Sequence, residues 1–456
     1  MKLANQAGLD TSMLEGVKDK IRRGLLPQWA FTDSEIFKAE VKNIFAKTWN
    51  FLGHESEIEN PGDYVTRWIV HDPVLLLRDQ NGQIQAYLNS CAHRGTKLCT
   101  ADFGNKKTFT CPYHGWTFNL SGDLIGIIAG NKVYGEEMDR SQWSLRKIPK
   151  VESYQGMIFG SLDEHAEPLE TFLGDMKWYF DIMLGRSDAG MEVRGVPQKW
   201  IINTNWKISA DNFGGDPYHT AMSHRSTVEL GISPKDPMYA SYGHQIVLDN
   251  GHGINMVTAL GGAKVPPYQG LPEDMWPMFA RNLSAEQLKV FENTMIIVGN
   301  CFPNLSFVSP MHGTGGPDEP LTSFVNFRVW RPVSPTKIEV TSWFMVDKEA
   351  PEAFKEASYL SYIGSFGPSG TLEQDDAEIW TRVAEASQGE MAQDKDIHYN
   401  NVLNYLMGLD RVEPDESWPG PGVAYPTCYL DAISRAFYEH WVDQLLATTD
   451  IPANVL

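Results

Sequence analysis

Two short segments carry residue types and spacings suited to binding metal: Cys91-Ala92-His93 and Cys111-Pro112-Tyr113-His114. Seventeen residues separate His93 from Cys111. Each segment offers one soft thiolate and one imidazole, so two such loops facing each other supply two Cys and two His. That set can divide over a [2Fe-2S] cluster, with thiolates on one iron and imidazoles on the other, which raises the reduction potential. It can also make a tetrahedral zinc site, but zinc modules usually group Cys with Cys and His with His. Here each loop mixes them. A single Cys-x-His is easily chance; two mixed loops in tandem are not. Cys99 lies between them and reads as a buried thiol, because four ligand positions are already filled. Five cysteines in a chain of 456 residues are too few, and odd in number, for a disulfide framework.

A second constellation follows at Asn212-Phe213-Gly214-Gly215-Asp216-Pro217-Tyr218-His219, with His224 five residues further on. On an ideal helix five residues rotate by about 140°, so His219 and His224 would not share a face. Gly214-Gly215 and Pro217 can relax that geometry, and Asp216 followed by proline suggests a capped second helix. Two imidazoles and one carboxylate on one face of an iron leave positions open for dioxygen, as in the facial triad of non-heme iron oxygenases. Alone, the two histidines would read as ordinary core or surface residues; the upstream cluster loops tip the reading toward ligands. The carboxylate must come from elsewhere. Glu373-Gln374-Asp375-Asp376 opens a helix after Phe366-Gly367-Pro368-Ser369-Gly370. Acids in a first helical turn also have an innocent role against the helix dipole, and spacing does not choose between Asp375 and Asp376.

The elements that must position these residues change character along the chain. Residues 34–49 place Ile36, Phe37, Val41, Ile44 and Phe45 on one helical stripe. From Tyr64 short strands and tight turns take over: YVTRWIV, VLLLR, the hairpin signal Asp79-Gln80-Asn81-Gly82, IQAYLN, FTCP, WTFN, the Ser121-Gly122 turn and GMIFG. After Ser161, LETFLGDMKWYFDIML reads as one amphipathic helix. TSFVNFRVWRP and KIEVTSWFMVD read as long paired strands. Three helices are expected in EAFKEASYLSYI, TLEQDDAEIWTRVAEAS and ISRAFYEHWVDQLL, and Glu413–Pro426 as an extended surface segment. The expectation is an α+β protein: a helical segment over 1–49 packing on the catalytic domain, an all-β domain over 50–160, and a mixed domain over 161–456.

Composition sets outer bounds. A net charge of −20 argues against a nucleic-acid partner, which wants a basic footprint. No apolar run approaches the roughly 20 residues of a membrane span. Met1–Gln6 has no apolar core of a signal peptide, so a cytoplasmic protein is expected. No GxGxxG fingerprint is present, so NADH is not expected to bind this chain.

The flanks add a resemblance. Cys91-Ala92-His93-Arg94-Gly95 and Cys111-Pro112-Tyr113-His114-Gly115-Trp116 resemble the Rieske oxygenase motifs nearly letter for letter, and Gly95 and Gly115 are expected to let backbone N–H groups approach the cluster sulfurs. Most of the chain is similar to large subunits of aromatic-ring-hydroxylating dioxygenases, nearest the naphthalene, phenanthrene and biphenyl branch. The resemblance implies a Rieske domain beside a helix-grip catalytic domain, an antiparallel sheet with covering helices. It implies a [2Fe-2S] cluster on Cys91, His93, Cys111 and His114, and a mononuclear Fe(II) on His219, His224 and Asp376, with Asp375 as fallback. Asn212 falls near the iron, and Phe366, Phe213 and Leu372 fall on the substrate pocket; Leu372 stands where naphthalene enzymes carry tryptophan. The implied partners are a ferredoxin, an NADH-dependent reductase and further copies of the chain as a head-to-tail homotrimer, with a small β subunit in many members. In that trimer His114 of one subunit approaches His219 of the next, and Asp216 bridges them. The implied reaction adds both atoms of O2 to an aromatic hydrocarbon ring as a cis-diol; the alternative is an aromatic carboxylate such as phthalate or salicylate. A carboxylate pocket needs a fixed cation, and Arg225, beside His224, is expected at the surface.

Overall fold

The computed structural model describes residues 11–135, 138–231, 235–258, 266–313, 321–394 and 402–447. The hexapeptide Met1–Gln6 lies outside them. The chain forms two compact units, one from residues 45–169 and one from 1–44 together with 170–456.

The 45–169 unit is built from three small antiparallel sheets. One runs Ile84–Leu88, Asp72–Arg78, Asp63–Ile69, Phe103–Asn105; the second runs Lys150–Tyr154, Met157–Ser161, Asn50–His54; the third runs Thr108–Thr110, Thr117–Asn119, Leu124–Gly126. The run Val74-Leu75-Leu76-Leu77 shows why an unbroken apolar string is a strand here. Side chains alternate across a strand, and Leu75 and Leu77 enter one core while Val74 and Leu76 enter another. The first of those cores also holds Cys91, Cys111 and Trp116. The hairpin at Asp79–Gly82 turns where Gly82 takes φ +77°, a backbone angle that costs glycine little.

The larger unit is a nine-stranded antiparallel sheet under helices. The strand order is Met191–Val193, Lys337–Asp347, Val325–Ser334, Leu305–Ser309, Ile296–Cys301, Gly253–Val257, Gly243–Val247, Val423–Tyr425, with Gln198–Ile202 also paired to Lys337–Asp347. The helices Trp206–Gly215 and Ala432–Leu446 lie on this sheet and on each other. Helix Thr11–Ile21 packs on Ala432–Leu446, where Arg22 Nε donates to Glu439 at 2.7 Å. The α+β, helix-grip expectation holds. No described helix is long and apolar enough to cross a membrane.

Three sequence expectations needed revision, and one set of strands was not anticipated. The stripe over 34–49 is an α-helix only at Ser34–Ala39; Glu40–Phe45 widens into a π-helix. Phe37 and Val41 stay half-buried, and buried Glu40 instead accepts from Trp206 Nε1 and Trp441 Nε1, each at 2.9 Å, and pairs with Lys207. The helix expected over 169–184 breaks at Gly174, φ +48°, into Leu169–Leu173 and Met176–Leu184. Within Glu413–Pro426, Val423–Tyr425 is an edge strand paired with Gly243–Val247. The strands between 243 and 309 escaped the pattern because Gln245, Asn255 and Asn300 are buried where alternation wants apolar residues.

Candidate metal centres

The two Cys/His loops have the same backbone. Cys91 N–H donates to Thr96 O at 2.9 Å and Gly95 N–H to Cys91 O at 2.8 Å; Cys111 N–H donates to Trp116 O at 2.7 Å and Gly115 N–H to Cys111 O at 3.0 Å. Each loop turns through a glycine at positive φ, +73° at Gly95 and +70° at Gly115. The two glycine N–H groups donate to the cysteine carbonyls. The N–H groups of His93 and Arg94 are the backbone donors that serve the Cys91 sulfur. Burial pushes the Cys91 thiol up, and neighbouring Cys111 adds to it, so an uncoordinated Cys91 thiolate would be costly here. His93 and His114 lie 4.6 Å apart between ring centroids, and His93 stacks on Trp116 at 4.7 Å. The Nδ1 atoms of His93 and His114 are buried with no hydrogen-bond partner. Buried polar atoms are rarely orphaned; two imidazole nitrogens orphaned beside two buried sulfurs fit the donor set of a Rieske cluster. His93 Nε2 is 3.2 Å from the Tyr134 hydroxyl. All five cysteines are free and buried, Cys99 among them.

The second group is assembled by the end of one helix and the start of another. Helix Trp206–Gly215 continues through both glycines, whose role is close packing: a Cβ on Gly215 would fall 2.3 Å from Ser434 Oγ. Two buried amides satisfy its last carbonyls, Asn255 Nδ2 donating to Gly214 O at 2.8 Å and Gln245 Nε2 to Gly215 O at 3.3 Å. The chain then breaks at Asp216, which caps the short 3-10 turn Pro217–His219 by accepting from His219 N–H at 3.2 Å. A four-residue helix, Thr220–Ser223, ends at His224. That change of helix type removes the 140° problem and turns both rings to one side.

His219 Nε2 and His224 Nε2 are 3.3 Å apart, and each is 3.4 Å from Asp376 Oδ1. Three donor atoms at those separations suit one ion bonded at about 2.1 Å to each. The far ring nitrogens have their own acceptors: His219 Nδ1 meets the Asp216 carbonyl, and His224 Nδ1 lies 3.4 Å from Asp375 Oδ2. A proton held on each Nδ1 leaves both Nε2 lone pairs for a metal. Asp375 thus stands behind His224, also accepting from Ser226 Oγ at 3.1 Å, while Asp376 faces both imidazoles. Electrostatics favour a cation at this point. Burial alone would raise Asp376, but His224 and His219 hold it below the ordinary carboxylate range. Burial opposes charge on His219, yet Asp376, with Asp216 behind, pushes the ring up to about 9.

A cavity of about 970 Å³, counted with its mouth, opens above the triad. The expected pocket residues Phe213, Phe366 and Leu372 line it, as do Asn212 and Asp216. Sequence reasoning missed most of the remaining wall, including Val257, Ile296, Val298, Val308, Met311 and Leu321. The alternation Ile296, Val298 on one strand face was the only available signal. No described lining residue is Lys or Arg. Arg225 is exposed and pairs with Glu229 at 2.8 Å. A second, wider cleft shares Asp216, His219 and Asp376 with the first and adds Asp211, Tyr218 and Tyr405. Burial beside the two clefts pushes half-buried Asp216 up to about 6.

Comparison with known proteins gives a consistent result. Residues 48–140 match the Rieske [2Fe-2S] domain family, and residues 169–447 match the family described as ring hydroxylating alpha subunit (catalytic domain). The chain is 34% identical, over 99% of its length and 98% of the relative's, to the N,N-dimethyl phenylurea N-demethylase subunit alpha of Sphingobium sp. strain YBL2. It is 32% identical to the benzene 1,2-dioxygenase subunit alpha of Pseudomonas putida, covering 95% of this chain and 94% of that one. Among solved structures, naphthalene 1,2-dioxygenase from Rhodococcus sp., bound to indole, superposes with a TM-score of 0.93 at 44% identity, covering 96% of this chain and 98% of that one.

Proposed function

The chain belongs to the ring-hydroxylating oxygenases, as an alpha subunit with a Rieske [2Fe-2S] domain and a catalytic domain, and from that premise we propose that it cis-dihydroxylates the ring of an apolar polycyclic or biaryl hydrocarbon. The observation that carries the reading is a two-histidine, one-carboxylate triad under a cavity walled by aliphatic and aromatic side chains, with no Lys or Arg among its described lining. Such a wall binds a flat apolar ring through surface burial and ring contacts. It offers no fixed cation to an aromatic carboxylate, and exposed Arg225 does not supply one. Cys91, His93, Cys111 and His114 would hold the cluster, and His219, His224 and Asp376 the lone iron. Bound there, the cluster would supply single-electron transfer and the iron a site for dioxygen activation. Phe366, Phe213 and Leu372 orient the ring, Asn212 lies one turn before Asp216, and the apolar wall excludes water.

The partner reading extends the same family. A separate reductase would draw electrons from NADH and a ferredoxin would deliver them. Residues 50–160 would be the electron-entry domain and 161–456 the catalytic domain, with 1–49 a helical segment packed on it. A head-to-tail trimer, with or without a β subunit, would bring one copy's His114 against the next copy's His219 through Asp216. The placement of Asp216 in both clefts supports that bridge.

The test is a substrate panel under 18O2 with reductase, ferredoxin and NADH: naphthalene, phenanthrene, biphenyl, phthalate and N,N-dimethyl phenylurea. The proposal expects a cis-diol carrying two labelled oxygens from at least one hydrocarbon. Turnover of phthalate alone, or demethylation of the urea with no ring diol, would overturn it.

A further inference from the structure

Resting on the reading of Asp376 as an iron ligand, we propose that Arg328 is a positioning residue that sets both that ligand and the aromatic wall of the substrate pocket from the sheet beneath them. Its side chain is wholly buried, as is that of its partner Glu373. Arg328 Nη1 donates to Glu373 Oε2 at 2.5 Å, its Nε and Nη2 donate to Asn326 Oδ1 at 2.9 and 2.7 Å, and Nη2 also donates to the Phe366 carbonyl at 3.1 Å. Glu373 in turn accepts from Trp200 Nε1 at 3.0 Å.

These contacts join four segments that the site needs in register. Arg328 and Asn326 belong to the strand Val325–Ser334. Phe366 is the last residue of helix Glu352–Phe366, and Glu373 lies in the first turn of helix Thr371–Ala386. Trp200 lies on the edge strand Gln198–Ile202. Between the two helices runs the Gly367–Gly370 turn, so the guanidinium grips both sides of it. Asp376 follows Glu373 by three residues, nearly one helical turn. Fixing Glu373 therefore fixes how far helix Thr371–Ala386 slides and rotates toward His219 and His224.

The same guanidinium lies under the pocket. Its central carbon is 4.9 Å from the Phe213 ring centroid and 5.1 Å from that of Phe366. A planar cation stacks on rings in a way lysine cannot reproduce. One group thus holds the Phe366 backbone by its carbonyl and braces the Phe213 and Phe366 rings.

A buried ion pair often gives little net stability, and replacing both partners by apolar residues of similar volume is frequently tolerated. That separates positioning from folding. The experiment compares Arg328→Lys, Glu373→Gln and the double variant Arg328→Met/Glu373→Met in the full chain. It measures Rieske absorption, Co(II) affinity of the iron-depleted mononuclear site, and product ratios from phenanthrene. The expected result is normal cluster absorption in all three, Co(II) affinity weakened about 10–100-fold in the double variant, as for other groups that orient ligands, and altered product ratios in Arg328→Lys. Co(II) affinity within twofold of wild type in the double variant, with unchanged product ratios, would overturn the inference. If the double variant does not fold, the same two readouts on Glu373→Gln, which keeps shape and removes the charge, decide. Asp376→Ala run alongside tests the underlying reading separately: if it keeps Co(II) at wild-type affinity, the ligand assignment fails; if it loses Co(II) while the Arg328 variants keep it, only this inference fails.

Discussion

Asp375 and Asp376 are neighbours on one helix, yet face different partners: Asp376 Oδ1 meets both imidazole Nε2 atoms at 3.4 Å, whereas Asp375 stands behind His224 Nδ1. Their substitution should separate accordingly. Asp376→Ala should abolish Co(II) or iron uptake at this site, while Asp375→Asn should weaken it about 10–100-fold and leave the stoichiometry intact at saturating metal. Titration with Co(II), followed by absorption, reads both. Asp216 is the other informative residue. As a cap for His219 N–H it could be replaced by asparagine at little cost. As a bridge between imidazoles of two subunits it needs its charge and its second acceptor, which asparagine lacks. Asp216→Asn should therefore yield protein with both metal sites loaded, red in colour, and nearly inactive with the native ferredoxin and reductase. Loaded and fully active protein would reduce Asp216 to a cap.

The elements that carry these residues explain what could be read from the sequence. The cluster loops were legible as candidates because all four proposed donors lie in short turns, where types and spacing are themselves the geometry. The triad was half legible. Five-residue spacing contradicts a regular helix, and only the switch from α-helix through a 3-10 turn at Pro217–His219 reconciles it. No local pattern could pick Asp376 over Asp375, since that depends on the rotation of a helix 150 residues downstream. The start of that helix is set by close backbone approach: a Cβ on Gly370 would fall 2.3 Å from Ser365 O. Gly370→Ala should displace the helix, lower mononuclear iron occupancy and spare the cluster, which iron and sulfide analysis would report. The pocket wall stayed hidden because buried Gln245, Asn255 and Asn300 interrupt the apolar alternation of their strands. The first two hold carbonyls at the end of helix Trp206–Gly215 and so serve the site rather than the core.

For the whole molecule, acid sensitivity and metal content are the two collective properties that follow from these residues. His252 is fully enclosed, accepting from Phe302 N–H through Nδ1 and facing Phe172 O with Nε2, both at 2.9 Å. Burial pushes it down to about 4, and His440 likewise. The unfolded chain takes up these protons near 6.5 while the native state refuses them, so stability rises with pH between those values. The contribution is present above about pH 6.5 and is lost as pH falls toward 4, on the order of 3 kcal/mol for His252. Urea midpoints at pH 7 and pH 5 should fall accordingly, and His252→Gln should flatten the difference. The most direct test of the central claim is metal and sulfide content of the purified chain beside Asp376→Ala. The seven proposed ligands in two centres predict three irons and two acid-labile sulfides per chain, falling to two irons and two sulfides in the variant with the red-brown colour retained. Stoichiometric zinc with no visible absorption, or an unchanged iron count in Asp376→Ala, would contradict it.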